Sequence, residues 1–244
     1  MPKIPSLINN VNVVIMAGGK GSRLKSITEN TPKALVEIEG KPVIVYLIEH
    51  LASFGCTSLH ISVGHMADQI MAYLKNGTQF GLNINYLCED VPLGSIGALA
   101  LKREWDYDNF LVINGDVFTN FNVNEFISFF LARQADMAIL TSLLEMEVPW
   151  GVVNMSEELE ILSLVEKPKY PIRVSAGIYL FNKKIVHLLP SGISKEGWQL
   201  VQLALTNGHK IIGMPLENCH WVDIGTYETL NKARDIASMK QIQR

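Results

Sequence analysis

Short apolar runs rich in β-branched residues alternate with amphipathic segments through the first half of the chain. The apolar runs predict β-strands at residues 11–17, 58–63, 84–87 and 110–114. Between them, the spacing of apolar residues predicts helices at residues 42–54, 66–74 and 95–101. This alternation predicts an α/β protein whose parallel sheet is covered on both faces. Ligands of such sheets bind beyond the carboxyl ends of the strands.

The second half of the chain is richer in strands. After a helix at residues 122–134, strands are predicted at residues 137–143, 151–154, 161–165 and 174–181, and a helix at residues 226–237 follows. No repeat or low-complexity tract interrupts the pattern. The 244 residues are 48% hydrophobic, which is enough for one substantial core. We therefore predict a single domain with a small elaboration.

Composition excludes several classes of partner. The net charge is −3 and the lysines and arginines are scattered, so nucleic acid is not an expected partner. No segment approaches the roughly 18 consecutive apolar residues of a membrane span, and residues 1–10 lack a signal-peptide core. The three cysteines, Cys56, Cys88 and Cys219, form no CxxC pair and are expected to be buried thiols. We expect a soluble, cytoplasmic protein.

A glycine-rich loop follows the first predicted strand directly. Gly18, Gly19 and Gly21 precede Arg23, and Lys33 follows ten residues later. A dinucleotide fingerprint would need glycine where this chain has Leu24, and no P-loop pattern occurs anywhere. Small residues let backbone N–H groups approach a phosphate chain, and two cations can contact the same anion. The loop is thus interpreted as a phosphate site, with a plain glycine turn and two solvated cations as the alternative.

Two aspartates and an acid–base pair also occupy the ends of predicted strands. Asp116 follows an apolar strand and a glycine, and Asp223 lies in a similar setting before Gly225. Mg²⁺ commonly takes one or two carboxylates together with phosphate oxygens, so these two aspartates are predicted to share one magnesium region. Glu166 and Lys167 precede a proline at another strand end, a pairing that suits a phosphorylated sugar.

Six motifs in order along the chain resemble those of the sugar-1-phosphate nucleotidyltransferase family: GGKGSRL, PKAL, INGDVF, VEKP, SAGIYLF and WVDIGT. They span about residues 11–236. The resemblance implies a Rossmann-like, doubly wound mixed sheet with an inserted, β-rich, sugar-binding subdomain. It also implies the reaction of an NTP with a sugar 1-phosphate to give an NDP-sugar and pyrophosphate. The resemblance further implies a single nucleotidyltransferase domain over residues 1–244. In it, residues 11–134 are mainly the nucleotide-binding core, residues 135–182 are mainly the sugar-binding part, and residues 183–236 belong to the core again.

The family pattern also implies a role for each candidate residue. Arg23 and Lys33 are the expected catalytic cations, and Asp116 and Asp223 the ligands of Mg²⁺. The nucleotide is expected to contact Ala17, Gly18, Gly19, Gly21, Ser22, Glu89 and Gly94, and the sugar phosphate to contact Gly151, Glu166, Lys167 and Ser175. A homo-oligomer is left open, as is a catalytically inactive regulatory homologue.

Departures from the family pattern bear on the choice of substrate. Where many members carry glutamine near the base, this chain has Glu89, whose carboxylate can accept both adjacent donors of guanine. GTP is therefore the expected donor, with UTP or dTTP as alternatives. The stretches VPWGVV and PLGSIGAL likewise look closest to the guanylyltransferases for hexosamine or heptose phosphates. Ser175 replaces a family asparagine that faces the sugar, and Ala34–Leu35 replaces Pro-Met. Trp198 is expected in the core.

Overall fold

The computed structural model describes residues 6–242, apart from the side chains of residues 22, 25, 26 and 240–242. The strands are β1 (Asn12–Met16), β2 (Glu37–Ile38), β3 (Lys41–Pro42), β4 (Ser58–Val63), β5 (Asn83–Cys88), β6 (Asn109–Asn114), β7 (Val117–Thr119), β8 (Met137–Glu147), β9 (Val152–Met155), β10 (Ile161–Val165), β11 (Lys169–Asn182), β12 (Ile211–Pro215) and β13 (Trp221–Asp223). The helices are α1 (Lys25–Thr28), α2 (Val43–Ser53), α3 (Ala67–Leu74), α4 (Val123–Ala132), α5 (Lys183–Val186), α6 (Gly197–Thr206) and α7 (Tyr227–Ile242).

A seven-stranded sheet forms the centre of the molecule, in the order β12-β8-β11-β6-β1-β4-β5. Strands β6, β1, β4 and β5 are parallel neighbours, and β12 is parallel to β8. Strand β11 lies between β6 and β8 and is antiparallel to both. The predicted α/β fold is confirmed, and its sheet is mixed, as the family resemblance implied.

The sheet is covered on both faces, and alternate residues of each strand serve opposite faces. In β1, Val13 and Ile15 pack into one buried cluster with α2, α3 and α4, whereas Val14 and Met16 pack into a second cluster with α5 and α6. All five residues of β1 are buried. This continuous burial explains why the strand reads as an unbroken apolar run in the sequence.

The outer halves of β8 and β11 extend beyond the sheet. There they pair only with each other, from Ser142–Val174 out to Glu147–Lys169, and the β9–β10 hairpin connects them. We call residues 142–175 the arm. Both long strands exceed their predicted bounds, because the sequence pattern shows where a strand is half-buried but not how far it continues once it leaves the core.

Three expectations are corrected by the structure. Residues 95–101 form only a 3₁₀ turn, Gly97–Leu101, and Ile96 donates its N–H to the carbonyl of Lys195 rather than entering a longer helix. Trp198 is 60% exposed, because α6 turns its other side, with Leu200, toward the core. Of the thiols, Cys56 is buried, whereas Cys88 is exposed and Cys219 is half-buried.

No helix within residues 6–242 is both long and apolar enough to cross a membrane.

His60 is a buried titratable group of the central sheet. It lies on β4, with its Nε2 atom 3.1 Å from the ammonium nitrogen of Lys102 and its ring against Trp105. Burial, and then the charge of Lys102, lower the pKa of His60 to about 4, although Asp106 opposes the shift. The folded protein therefore keeps this imidazole neutral at pH values where a solvated histidine is protonated.

This shift predicts a pH-dependent loss of stability. The ordinary pKa of His60 is 6.5, so between pH 6.5 and about 4 the unfolded chain binds a proton at His60 that the folded chain does not. The free energy of unfolding should therefore fall as pH falls through this window. His60→Gln should flatten the decline, measured by chemical denaturation at a series of pH values.

The matched control is His187→Gln, which alters an exposed histidine on the same chain. It should leave the pH profile of wild type unchanged. A decline of equal slope in wild type and His60→Gln would contradict the assignment.

Candidate functional site

The strand order reverses direction at β1, and this reversal opens a crevice at the carboxyl ends of the strands. The chain runs from β1 outward through β4 and β5, and then returns to the other side of β1 as β6. In open α/β sheets such a switch point is the usual ligand site. Here it brings together the glycine loop after β1 and the residues after β6. The N–H of Gly115 donates to the carbonyl of Met16 at 2.8 Å.

Two adjoining pockets occupy this crevice, with volumes of about 770 Å³ and 400 Å³. They share Arg23, Asn114 and Gly225. We call them the first and second pockets. The first is lined by Met16, Ala17, Gly18, Gly19, Lys20, Gly21, Arg23, Lys33, Ala34, Gly64, His65, Glu89, Asp90, Pro92, Gly94, Ser95, Asn114, Gly115, Asp116, Glu196 and Gly225. The second is lined by Arg23, Asn114, Val117, Leu144, Val174, Ser175, Ala176, Gly177, Tyr179, Trp221, Val222, Asp223, Gly225, Thr226, Thr229 and Lys232.

A charged cluster lies where the two pockets meet. The ammonium group of Lys33 donates to Oδ2 of Asp116 and lies 3.4 Å from Oδ1 of Asp223. Burial, and then the nearby charge of Asp116, raise the pKa of Asp223, while Lys33 and Arg23 oppose the shift. The cluster therefore combines two anions that repel one another with cations that hold them together.

The two aspartates suit Mg²⁺. Both carboxylates contact one nitrogen, so their oxygens lie well inside the roughly 8 Å that a single magnesium ion could bridge directly or through water. Oδ1 of Asp116 is buried and has no hydrogen-bond partner, which leaves it available to a cation. Within residues 6–242 no group of three or more His, Cys, Asp or Glu side chains surrounds a metal position. Two carboxylates would thus need further oxygens from a bound ligand or water.

Glu89 lines the wall of the first pocket in a fixed position. Its carboxylate accepts a hydrogen bond from the hydroxyl of Ser62 and another, at 2.8 Å, from the N–H of Leu93. A Cβ atom added at Gly18 would lie 2.5 Å from Oε1 of Glu89. Glycine at position 18 therefore leaves room for the carboxylate beside the loop.

The predicted nucleotide-binding residues otherwise meet in one place. Six of the seven, all but Ser22, line the first pocket: Ala17, Gly18, Gly19, Gly21, Glu89 and Gly94. The side chain of Ser22 lies outside the described part of the structure. The catalytic candidates Arg23 and Lys33 line the same pocket. The first pocket thus brings together predicted residues from three separate segments of the chain, 17–23, 33 and 89–94.

The predicted sugar-phosphate residues divide into two groups. Ser175 lines the second pocket, where its hydroxyl lies 3.3 Å from that of Tyr179. Gly151, Glu166 and Lys167 lie together at the base of the β9–β10 hairpin, outside the linings of both pockets. A Cβ atom added at Gly151 would lie 3.0 Å from Oε2 of Glu166. Their contact with a sugar phosphate stays a prediction.

Several lining residues carry no strong signal in the sequence. Asn114 belongs to the INGDVF stretch but draws less attention there than Asp116, although it lines both pockets. The sequence signal that could have identified Asn114 is its position at the end of a predicted strand, directly before Gly115. Others are common polar residues in unremarkable surroundings, which only the fold brings to the crevice: His65, Asp90, Glu196, Thr226, Thr229 and Lys232.

The nucleotidyl transferase family model matches residues 12–238 of this chain. The chain belongs to the nucleotidyl transferase family. Among curated relatives, it is 30% identical over 230 residues to the mannose-1-phosphate guanylyltransferase catalytic subunit beta of Drosophila melanogaster. That alignment covers 91% of this chain and 61% of the relative, so the chain spans about three fifths of the length of this protein.

Solved structures of the family share the fold. Two structures of HddC from Yersinia pseudotuberculosis, one of them complexed with GMP-PN, align with TM-scores of 0.74 and 0.72 at 27% identity. Each covers 93% of this chain and 99% of HddC. A putative glucose-1-phosphate thymidylyltransferase from Bacillus anthracis aligns with a TM-score of 0.73 at 28% identity, covering 93% of this chain and 95% of that one. The predicted fold class and family are both confirmed.

The packing at Gly18 predicts unequal effects for two neighbouring substitutions. Gly18→Ala would displace the Glu89 carboxylate from Ser62 and Leu93, whereas a Cβ atom at Gly19 meets nothing within 4 Å. We expect Gly18→Ala to lower the free energy of unfolding by about 1 kcal/mol, the scale of a lost buried hydrogen bond, and Gly19→Ala to leave it nearly unchanged. Urea denaturation of the ligand-free variants measures both. Equal stability would show that Glu89 finds equivalent partners elsewhere.

Proposed function

We propose that this protein transfers a nucleotidyl group from a nucleoside triphosphate to a sugar 1-phosphate, giving an NDP-sugar and pyrophosphate. The observation that carries the proposal is the pair of adjoining pockets that share Arg23 and meet at Lys33, Asp116 and Asp223. The larger pocket has the volume and the glycine-rich wall for a nucleotide, and the smaller one suits a sugar phosphate.

The reaction is a displacement at the α-phosphorus. An oxygen of the sugar phosphate forms a bond to that phosphorus, and the bond to the bridging oxygen of the β-phosphate breaks, so that pyrophosphate leaves with the electron pair. The attacking oxygen is already an anion at neutral pH, and therefore no side chain needs to remove a proton. The obstacle is repulsion between two polyanions, which positioned cations reduce.

Arg23 and Lys33 supply the cations. Arg23 lines both pockets, so its guanidinium lies where the leaving phosphates and the attacking phosphate approach one another. Lys33 lies at the same junction, with a side chain that is only 12% exposed, and a charge in such a water-poor place acts more strongly than one in solvent. Mg²⁺ held by Asp116 and Asp223 would neutralise further phosphate charge.

GTP is the proposed donor. Guanine presents two adjacent donors, N1–H and the exocyclic amine, and the Glu89 carboxylate on the wall of the first pocket has lone pairs left to accept both. Two similar proteins support the proposal by name, the guanylyltransferase from Drosophila and HddC complexed with GMP-PN. The similarity to a putative thymidylyltransferase supports dTTP as an alternative, and UTP stays an alternative as well.

The proposed preference for guanine predicts a ranking of the nucleoside triphosphates, which one assay can measure. Pyrophosphate release is followed with GTP, UTP, dTTP, CTP or ATP, together with Mg²⁺ and a panel of sugar 1-phosphates. GTP should give the highest kcat/KM. Glu89→Gln should lower the preference for GTP over UTP by about tenfold, since one carboxylate hydrogen bond to the base is worth about 1.5–3 kcal/mol and the amide replaces it only in part.

Two variants control this assay. Arg23→Ala should lower turnover about a hundredfold with every donor, the scale of losing one stabiliser of developing charge, which excludes a contaminating enzyme. Glu104→Gln, at an exposed position outside both pockets, should change nothing. A higher kcat/KM with UTP or dTTP would overturn the guanine proposal alone. Absence of pyrophosphate with every pair of substrates would overturn the transfer itself.

We propose that the protein acts in the cytoplasm. All three cysteines are free thiols, which suits a reducing compartment, and nucleoside triphosphates are abundant there.

We also propose that the arm joins two copies of the chain. Its strand β10 exposes large apolar side chains along its length, among them Ile161, Leu162 and Leu164, each more than 60% exposed. Surfaces of this kind in a soluble protein are usually covered by a partner. In the sequence of β10, two apolar residues stand on each side of Ser163. If a two-fold axis passes through Ser163, the apolar residues of one copy face apolar residues of the other, as an isologous contact requires.

The proposed interface predicts a change of mass. The double variant Leu162→Glu with Leu164→Glu should convert a dimer into a monomer, because the interface would have to bury four added charges. Light scattering coupled to size-exclusion chromatography measures the mass. Leu131→Glu, at a 48% exposed position on α4, is the control and should stay dimeric. A monomeric wild-type protein would contradict the proposal.

A further inference from the structure

Lys33 occupies the position between two carboxylates where a divalent cation would be expected. Its ammonium group contacts Asp116 and Asp223 at once, although those residues lie 83 and 190 positions further along the chain. We propose that Lys33 substitutes for the metal ion in the nucleotide-free protein, so that a divalent cation binds there only in exchange for Lys33. Metal and nucleoside triphosphate would then bind cooperatively.

The position of Lys33 is built into the fold. It begins a 3₁₀ turn, Lys33–Leu35, that is anchored by buried residues on each side, Pro32 and Ala34. Gly21 packs against its aliphatic stem, because a Cβ atom added there would lie 3.0 Å from Cβ of Lys33 and 3.1 Å from the methyl of Thr28. An ammonium group held in so enclosed a place needs anionic partners, and the two aspartates are those that the structure provides.

The charges explain why the metal and Lys33 compete. Two carboxylates, the ammonium group of Lys33 and the nearby guanidinium of Arg23 leave no net charge, so a free divalent cation is attracted weakly while Lys33 remains in contact. Entry of the cation beside Lys33 would set like charges side by side. A triphosphate offers the ammonium group another anion, so its arrival releases both carboxylates for the metal. The coupling is reciprocal: the metal strengthens nucleotide binding by the same factor.

A different arrangement would need no exchange. Lys33 contacts Oδ2 of Asp116, while the buried Oδ1 of the same residue has no hydrogen-bond partner. A cation that bound only to Oδ1 could coexist with Lys33, and removal of Lys33 would then alter metal affinity little. The two arrangements therefore differ in a measurable quantity, the metal affinity of a protein that lacks the ammonium group.

The experiment measures Mn²⁺ binding without nucleotide, from the electron paramagnetic resonance signal of free Mn²⁺. Lys33→Met should bind Mn²⁺ at least tenfold more tightly than wild type. The double variant Lys33→Met with Asp223→Asn should lose this gain, which locates the ion between the carboxylates. Lys41→Met removes a lysine that pairs with Glu49 on the surface, and should bind Mn²⁺ as wild type does.

A second variant tests the same prediction in case Lys33→Met does not fold. Lys33→Gln keeps a hydrogen-bond donor without the charge, and should show the same gain if the ammonium group is the competitor. Circular dichroism confirms that each variant is folded. Mn²⁺ affinities equal to that of wild type in both folded variants would overturn the proposal.

The cooperativity in this proposal rests on the proposed function, and a second binding measurement tests it. Addition of the β,γ-imido analogue of GTP should raise the Mn²⁺ affinity of wild type at least tenfold, and that of Lys33→Met much less. Binding of the analogue without any change in Mn²⁺ affinity would overturn the cooperativity. Failure of every nucleotide analogue to bind would contradict the proposed function, while the gain in Lys33→Met would still support the exchange.

Discussion

The parallel pairing of β1 with both β4 and β6 determines the rest of the molecule. Because β1 lies between them, the loop after β1 and the residues after β6 emerge at the same edge of the sheet, and they form the crevice there. Gly115 is needed for this approach, since a Cβ atom at that position would lie 2.9 Å from the carbonyl oxygen of Met16. Glycine at this position of the site therefore serves close packing of the backbone.

The charged cluster at this edge combines structural and chemical roles. Lys33 joins segments from three parts of the chain, because its ammonium group contacts aspartates that follow β6 and end β13. These contacts offset the repulsion between two partly buried carboxylates. Lys33 and Asp116 line the first pocket and Asp223 lines the second. In the proposed reaction, a bound triphosphate and a metal ion would therefore redistribute these contacts rather than create a site from separate parts.

The arm has a different physical character from the sheet. The inner halves of β8 and β11 are buried within seven strands, whereas their outer halves and the β9–β10 hairpin expose most of their apolar side chains. Residues expected at the sugar phosphate, Glu166 and Lys167, lie at the base of this hairpin. Lys167 has a positive φ of 45° there, and its N–H donates to the carbonyl of Trp150. This weakly covered segment is the surface on which we place the proposed contact between two copies of the chain.

The sequence by itself determined the alternation of strands and helices, the glycine loop and the family, because periodicity and ordered motifs are local properties of the chain. It also indicated that Asp116 and Asp223 belong together, because both lie close to a glycine at the end of a predicted strand. Only the tertiary structure decided that Lys33 lies between them, that Trp198 is exposed, and that the arm leaves the sheet after Thr141. Those outcomes depend on contacts between residues far apart in the chain, which neither spacing nor hydrophobic pattern encodes. The pattern predicts which face of a strand or helix is apolar, whereas the fold decides what covers that face.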